Sequence, residues 1–116
     1  MNCQYILNKY QDYELKLEFT NHAAFKIQER KIDKDLINDV LRNPDYLFFD
    51  KESNSCIAIK RVLSDGGKET NFILVFNIEK IESNLITIKI ITCYPCKKLE
   101  KETKKVDKGR WQKINI

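Results

Sequence analysis

His22 is the only histidine of the chain, and Lys26 and Arg30 follow it at four and eight residues. Histidine is the one side chain whose unperturbed pKa lies near neutrality, so it can take up a proton and return it. Residues four apart on a helix are neighbours. The spacing therefore presents one titratable ring and two cations, on roughly one face, to an anionic group such as a phosphate. Each residue also has a plainer reading. A histidine at a helix start caps it or packs on an aromatic neighbour, and Arg30 can pair with Glu29, Glu18 or Asp33. Lys60 and Arg61 are adjacent on an extended stretch and must point to opposite faces, so at most one of them joins a site on a given face. Thr92 and Tyr94 share a face, where the phenol can donate a proton or simply pack at a strand end before Pro95. Lys97 and Lys98 open a basic tail.

Cys93 and Cys96 have the C-x-x-C spacing, while Cys3 and Cys56 are scattered. A structural zinc ion needs about four ligands, and Cys3, Cys56 and His22 are too dispersed to complete a set with the pair. A thioredoxin-type redox pair would end a strand and open a helix. The Lys97–Asp107 segment can be helical, so that reading stays open. The expectation is four free thiols, with no metal and no cofactor. Asp33, Asp35 and Asp39 follow helix spacing and read as a wet face. A phosphate-binding G-x-x-x-x-G-K-[ST] loop, a G-x-G-x-x-G turn and a G-x-S-x-G elbow are all missing from the sequence. A nucleophile pair of Cys56 or Cys93 with His22 has no local signature.

These residues need elements to hold them. Tyr13, Leu15, Leu17 and Phe19 alternate with Glu14, Lys16 and Glu18, the period of a half-buried strand. Thr20 or Asn21 can cap a helix over His22–Arg30, with Ala23, Ala24 and Ile27 facing a core. Asp33 opens a second helix, Lys34–Arg42, whose Leu36, Ile37, Val40 and Leu41 share a face, and Asn43-Pro44 stops it. Tyr46–Phe49, Cys56–Leu63, Phe72–Ile78 and Leu85–Thr92 then read as successive strands, with Asp65-Gly66-Gly67 and Glu79–Asn84 as turns. Phe72 to Phe76 is apolar on both faces and marks a central strand. The expected fold is α+β: two N-terminal helices packed on a four- to five-stranded antiparallel sheet. Residues 1–96 make one domain, and 97–116 a basic tail that is a short charged helix ending at Gly109 or an arm docked by Trp111.

Composition fits one small domain. The chain has 116 residues, 42% of them hydrophobic, with three Gly and two Pro, which excludes fibrous and linker-like classes. No apolar run is long enough to cross a membrane and no cationic start leads into an apolar block, so a soluble, cytoplasmic protein is expected. Net charge is +4, compatible with a polyanionic partner. The charge is uneven: residues 1–58 hold eight basic and ten acidic groups, residues 59–116 thirteen and seven.

Residues 22–32, His-Ala-Ala-Phe-Lys-Ile-Gln-Glu-Arg-Lys-Ile, resemble the H-A-x-x-R-x-x-E-R-x-I opening of a family of small bacterial and archaeal domains. The likeness continues through Asp39-Val40-Leu41-x-x-Pro44, Ile59-Lys60-Arg61-Val62 and Ile91-Thr92-x-Tyr94-Pro95, covering about residues 20–96. Lys26 stands where the pattern has Arg, and Lys31 where it prefers Gly. That family is similar to the BrnT and RelE type of toxin, within the metal-independent ribonucleases of barnase-like shape. The resemblance implies an RNA-binding protein of toxin type that cleaves RNA without metal, with a cognate antitoxin or inhibitor protein as its protein partner. In that chemistry a proton leaves the 2′-hydroxyl, another reaches the 5′-oxygen, and cations stabilise the phosphorane-like transition state. His22, Arg30 and Tyr94 are the expected catalytic groups; Lys26, Lys60, Arg61, Thr92, Lys97 and Lys98 would hold phosphate. The alternative is a catalytically inactive module of the same family, acting on a protein or nucleic-acid partner.

Overall fold

The computed structural model describes residues 12–63, 66–96 and 99–114. The chain runs β1 (Glu14–Phe19), α1 (Asn21–Arg30), α2 (Lys34–Arg42), β2 (Tyr46–Asp50), β3 (Ser55–Leu63), β4 (Glu69–Glu82), β5 (Leu85–Cys96), α3 (Leu99–Asp107) and β6 (Trp111–Ile114). All six strands form one sheet in the order β1-β5-β4-β3-β2-β6. β2 to β5 make an antiparallel meander. β1 adds to β5 in parallel, Glu14 opposite Leu85 and Phe19 opposite Ile90. β6 adds antiparallel to β2 at the other edge.

This corrects the expected architecture. The sheet is mixed and six-stranded, with three short helices, not two helices on four or five antiparallel strands. A period of two identifies a strand but says nothing of its partner or direction. β1 reaches β5 only because two helices and three strands intervene, enough chain to return in parallel. β6 has only Trp111 and Ile114 as apolar residues in four positions, too few to register as a period.

The alternation of β3 and β4 divides the core between two faces. Cys56, Ala58, Leu74 and Phe76 face α1 and α2 with Ile86, Ile88, Ile90 and Cys93, and are covered by Ala23, Ile37, Val40 and Leu41. Ile57, Ile59 and Ile73 face the other way, under Phe48, Trp111, Leu99 and Val106. Trp111 packs on Phe48 at a centroid distance of 5.3 Å, and Gly109, at φ +77, makes the turn that frees the chain from α3 into β6.

Local chemistry sets the helix ends. Thr20 caps α1: its hydroxyl accepts from the Ala23 amide at 3.1 Å and donates to the Ile91 carbonyl at 2.8 Å. Ile91 is the extra residue where the β4–β5 register shifts, so the cap ties α1 to a bulge. Asp33 caps α2 by accepting from the Asp35 amide at 2.9 Å. Between them Lys31 closes α1 in a left-handed conformation, φ 52 and ψ 46, with its own amide bonded to Gln28 and that of Ile32 to Ile27.

Candidate functional site

α1 separates the residues whose spacing suggested one site. Successive steps of four residues drift by 40° around a helix, so Arg30 points about 80° away from His22 and lies about 12 Å further along the axis. His22 is exposed in the first turn. Lys26 holds its Nζ 5.9 Å from the centre of the Phe25 ring, and Phe25 is 60% exposed. Arg30 instead turns to the sheet, where Nη1 donates to the Cys93 carbonyl at 3.3 Å.

The remaining expected residues scatter. Lys60 shares the α1–α2 face but is engaged there: Nζ donates to the Asn43 carbonyl at 2.8 Å and lies 3.3 Å from Asp39. It clamps the C-terminal end of α2, where a cation also meets the helix dipole favourably. Arg61 alternates to the opposite face, exposed, with its backbone amide donating to Asp45 at 2.6 Å. Thr92, paired with Val75, and Tyr94, paired with Ile73, belong to the α3 face. Tyr94 is half-buried there beside Glu102. Burial, reinforced by the Glu102 carboxylate, pushes its phenol up to about 12, the wrong direction for a proton donor at neutral pH. Lys97 and Lys98 lie outside the described residues. His22, Arg30 and Tyr94 are thus not brought together.

Two further expectations change. Cys93 is buried and Cys96 half-buried, and neither is in a disulfide; they sit on a strand with Cys93 toward one core and Cys96 toward the other. Three residues along a strand span about 10 Å, beyond the Cα separation a disulfide tolerates. Burial pushes the Cys93 thiol up, offset only in part by Arg30, away from the thiolate that redox exchange uses. Cys56 is disulfide-bonded, so the expectation of four free thiols is overturned at that position; Cys3 lies outside the described residues. Among the described residues no three His, Cys, Asp or Glu side chains gather as a metal site, and no helix is long and apolar enough to cross a membrane.

A second charged cluster, at the far edge of the sheet, is closed. Arg110, just before β6, donates Nε and Nη2 to the Asp50 carboxylate at 3.0 Å each. The Glu52 and Ser53 amides donate to the same group at 3.0 and 3.3 Å. Burial alone would raise the Asp50 carboxyl; the Arg110, Ser53 and backbone bonds outweigh it and lower it to about 2. Lys105 is likewise occupied, 2.9 Å from Glu102 and 5.0 Å above the Trp111 ring. Part of the basic tail is therefore spent inside the fold.

What does converge is a groove of about 660 Å³ where the α1–α2 junction meets the ends of β3, β4 and β5. Ile32, Leu36, Val62, Phe72 and Pro95 supply apolar wall, Leu63 is 72% exposed at the rim, and Arg30 and Lys31 add charge. Its volume is in the range of small-ligand and peptide sites, roughly 300–1,000 Å³. Of this set only Arg30 stands among the site residues expected from the sequence. The available signals were Lys31 at a helix end and Leu63, apolar where the strand runs into a polar turn.

Fold and site define a small mixed-sheet domain with an open groove at one end of its two-helix layer. The chain belongs to the family described as Domain of unknown function (DUF4258), which it matches over residues 19–95. The match runs from the last residue of β1 nearly to the end of β5, so most of β1, and all of α3 and β6, lie outside it. No curated protein and no solved structure matches the chain.

Proposed function

We propose that this domain is a binding module that takes its partner in the groove between Arg30, Lys31, Leu63 and Pro95, and that it does not cleave RNA. One observation carries the reading. The groups that proton transfer would require stand apart, His22 in solvent at the start of α1 and Tyr94 on the opposite face beside α3, whereas two cations and a set of apolar side chains meet at the groove. General acid–base catalysis needs its groups within about 3 Å of the atoms they serve, and one scissile phosphate cannot reach both.

RNA remains as a second reading, favoured by the outer side of α1. There the exposed Phe25 ring, with Lys26 beside it and His22 one turn earlier, offers a stacking surface flanked by positive charge. A mixed-sequence single-stranded RNA, incubated with the protein in EDTA, should remain full length. Fragments with 2′,3′-cyclic phosphate ends that disappear in His22→Ala would restore the nuclease and overturn the binding-module reading. RNA affinity that falls in Phe25→Ala but not in Leu63→Ser would move the site from the groove to α1.

A further inference from the structure

We infer that the groove selects peptides in which a carboxylate lies beside an apolar side chain, with Lys31 as the cation that reads the carboxylate. This deepens the groove reading and rests on it. Lys31 ends α1 in the left-handed region at φ 52, where a Cβ crowds the backbone and glycine is the usual occupant. Among the described non-glycine residues Asn54 and Ser83 also have positive φ, but both sit in the tight turns of β-hairpins. Lys31 is a long charged residue in a strained position on the rim of an apolar trough. Strain of this kind gathers at ligand clamps. A cation at a helix C-terminus also gains from the helix dipole, but Arg30 supplies that one residue earlier.

The surroundings decide the sign and kind of partner. Asp33, the acid in the groove lining, has its carboxylate engaged by the Asp35 amide at 2.9 Å. Arg30 is held by a neutral carbonyl, and among the described residues no ion pair is formed by Arg30 or Lys31. Asp33 keeps its charge, but with two cations against one carboxylate the rim is net cationic. The walls are aliphatic apart from Thr70 and Phe72, and Phe72 is only 4% exposed, with no open ring face for a nucleobase. An acidic, apolar peptide answers both features.

The test is fluorescence polarisation of a labelled octapeptide alternating glutamate and leucine, beside one alternating glutamine and leucine. The acidic peptide should bind more tightly, and the difference should shrink with salt. Lys31→Gly and Lys31→Ala should each weaken the acidic peptide roughly two- to five-fold, the scale of an exposed charge contact, and leave the glutamine peptide unchanged. Lys31→Gly should not lower the melting temperature, which separates lost recognition from lost folding. Leu63→Ser should weaken both peptides. If both peptides bind alike and only Leu63→Ser matters, the carboxylate inference falls and the groove reading stands. If neither peptide binds, or Leu63→Ser has no effect on either, the inference falls together with the groove reading.

Discussion

At the Asp50 corner a carboxylate meets a guanidinium and two backbone amides and is almost wholly removed from water. At the α1–α2 corner Arg30 and Lys31 are exposed beside an apolar trough. The first saturates its charge within the chain and thereby fixes where β6 pairs with β2. The second leaves its charge toward an open trough. Similar residue types serve assembly in one place and, under the proposed function, recognition in the other, and what separates them is whether partners within the fold use up their hydrogen-bonding capacity.

The largest effect should come from opening the closed corner. Asp50→Ala removes the acceptor of both guanidinium bonds and of the Glu52 and Ser53 amides, and should destabilise the domain by about 3 kcal/mol. Urea unfolding reads this as a lower midpoint at unchanged slope. A loss below about 1 kcal/mol would mean that the corner is a surface pair and that the contrast with the groove is false.

The same carboxylate sets an acid limit. Its pKa is lowered from 3.8 to about 2 on folding, so its contribution is fully present above the unfolded value. That contribution is lost as pH falls through the folded value. The shift corresponds to about 2 kcal/mol. Asp50→Asn should flatten the stability profile between those two pH values and leave its shape above pH 5 unaltered. A wild-type profile already flat there would refute the linkage.

How much of this was readable from residue order depends on the range of the interaction. α1, α2 and the meander strands follow periods of 3.6 and 2 set by near neighbours, and Thr20, Asp33 and Pro44 mark their ends locally. The β1–β5 pairing joins segments about seventy residues apart, and no local pattern encodes it. β6 depends on Trp111 finding Phe48 and on Arg110 finding Asp50, again at a distance. The candidate site fared similarly. His22, Lys26 and Arg30 do share a helix, but helical drift and the bond to Cys93 send Arg30 elsewhere, while the face of Tyr94 was fixed by a bulge at Ile91. The groove draws on four separated stretches of chain, residues 30–36, 62–63, 70–72 and 95, which no local pattern joins.

A smaller effect, of opposite sign, should come from the open corner. Lys31→Gly relieves the left-handed Cβ while raising the entropy of the unfolded chain. The net should be a gain of up to about 1 kcal/mol, read by the same urea titration. A clear loss instead would show that Lys31 has a structural partner, and the two corners would then differ only in degree.

The smallest expected effect is at His22, and it bears hardest on whether chemistry occurs at all. The ring is exposed in the first turn of α1, and surface substitutions of this kind usually change stability by no more than about 0.5 kcal/mol. His22→Ala should therefore unfold with wild-type stability and bind the glutamate–leucine peptide with wild-type affinity, since the groove lies at the other end of the helix. Tyr94→Phe should behave alike in binding, because the phenol faces Glu102 on the far side of the sheet. If the domain were a nuclease, the first substitution would reduce its rate by roughly 10²–10⁴ while leaving the fold intact. Silence at both positions, in a protein that still discriminates peptides by charge, is what a sheet that uses one corner to fold and the other to bind must show.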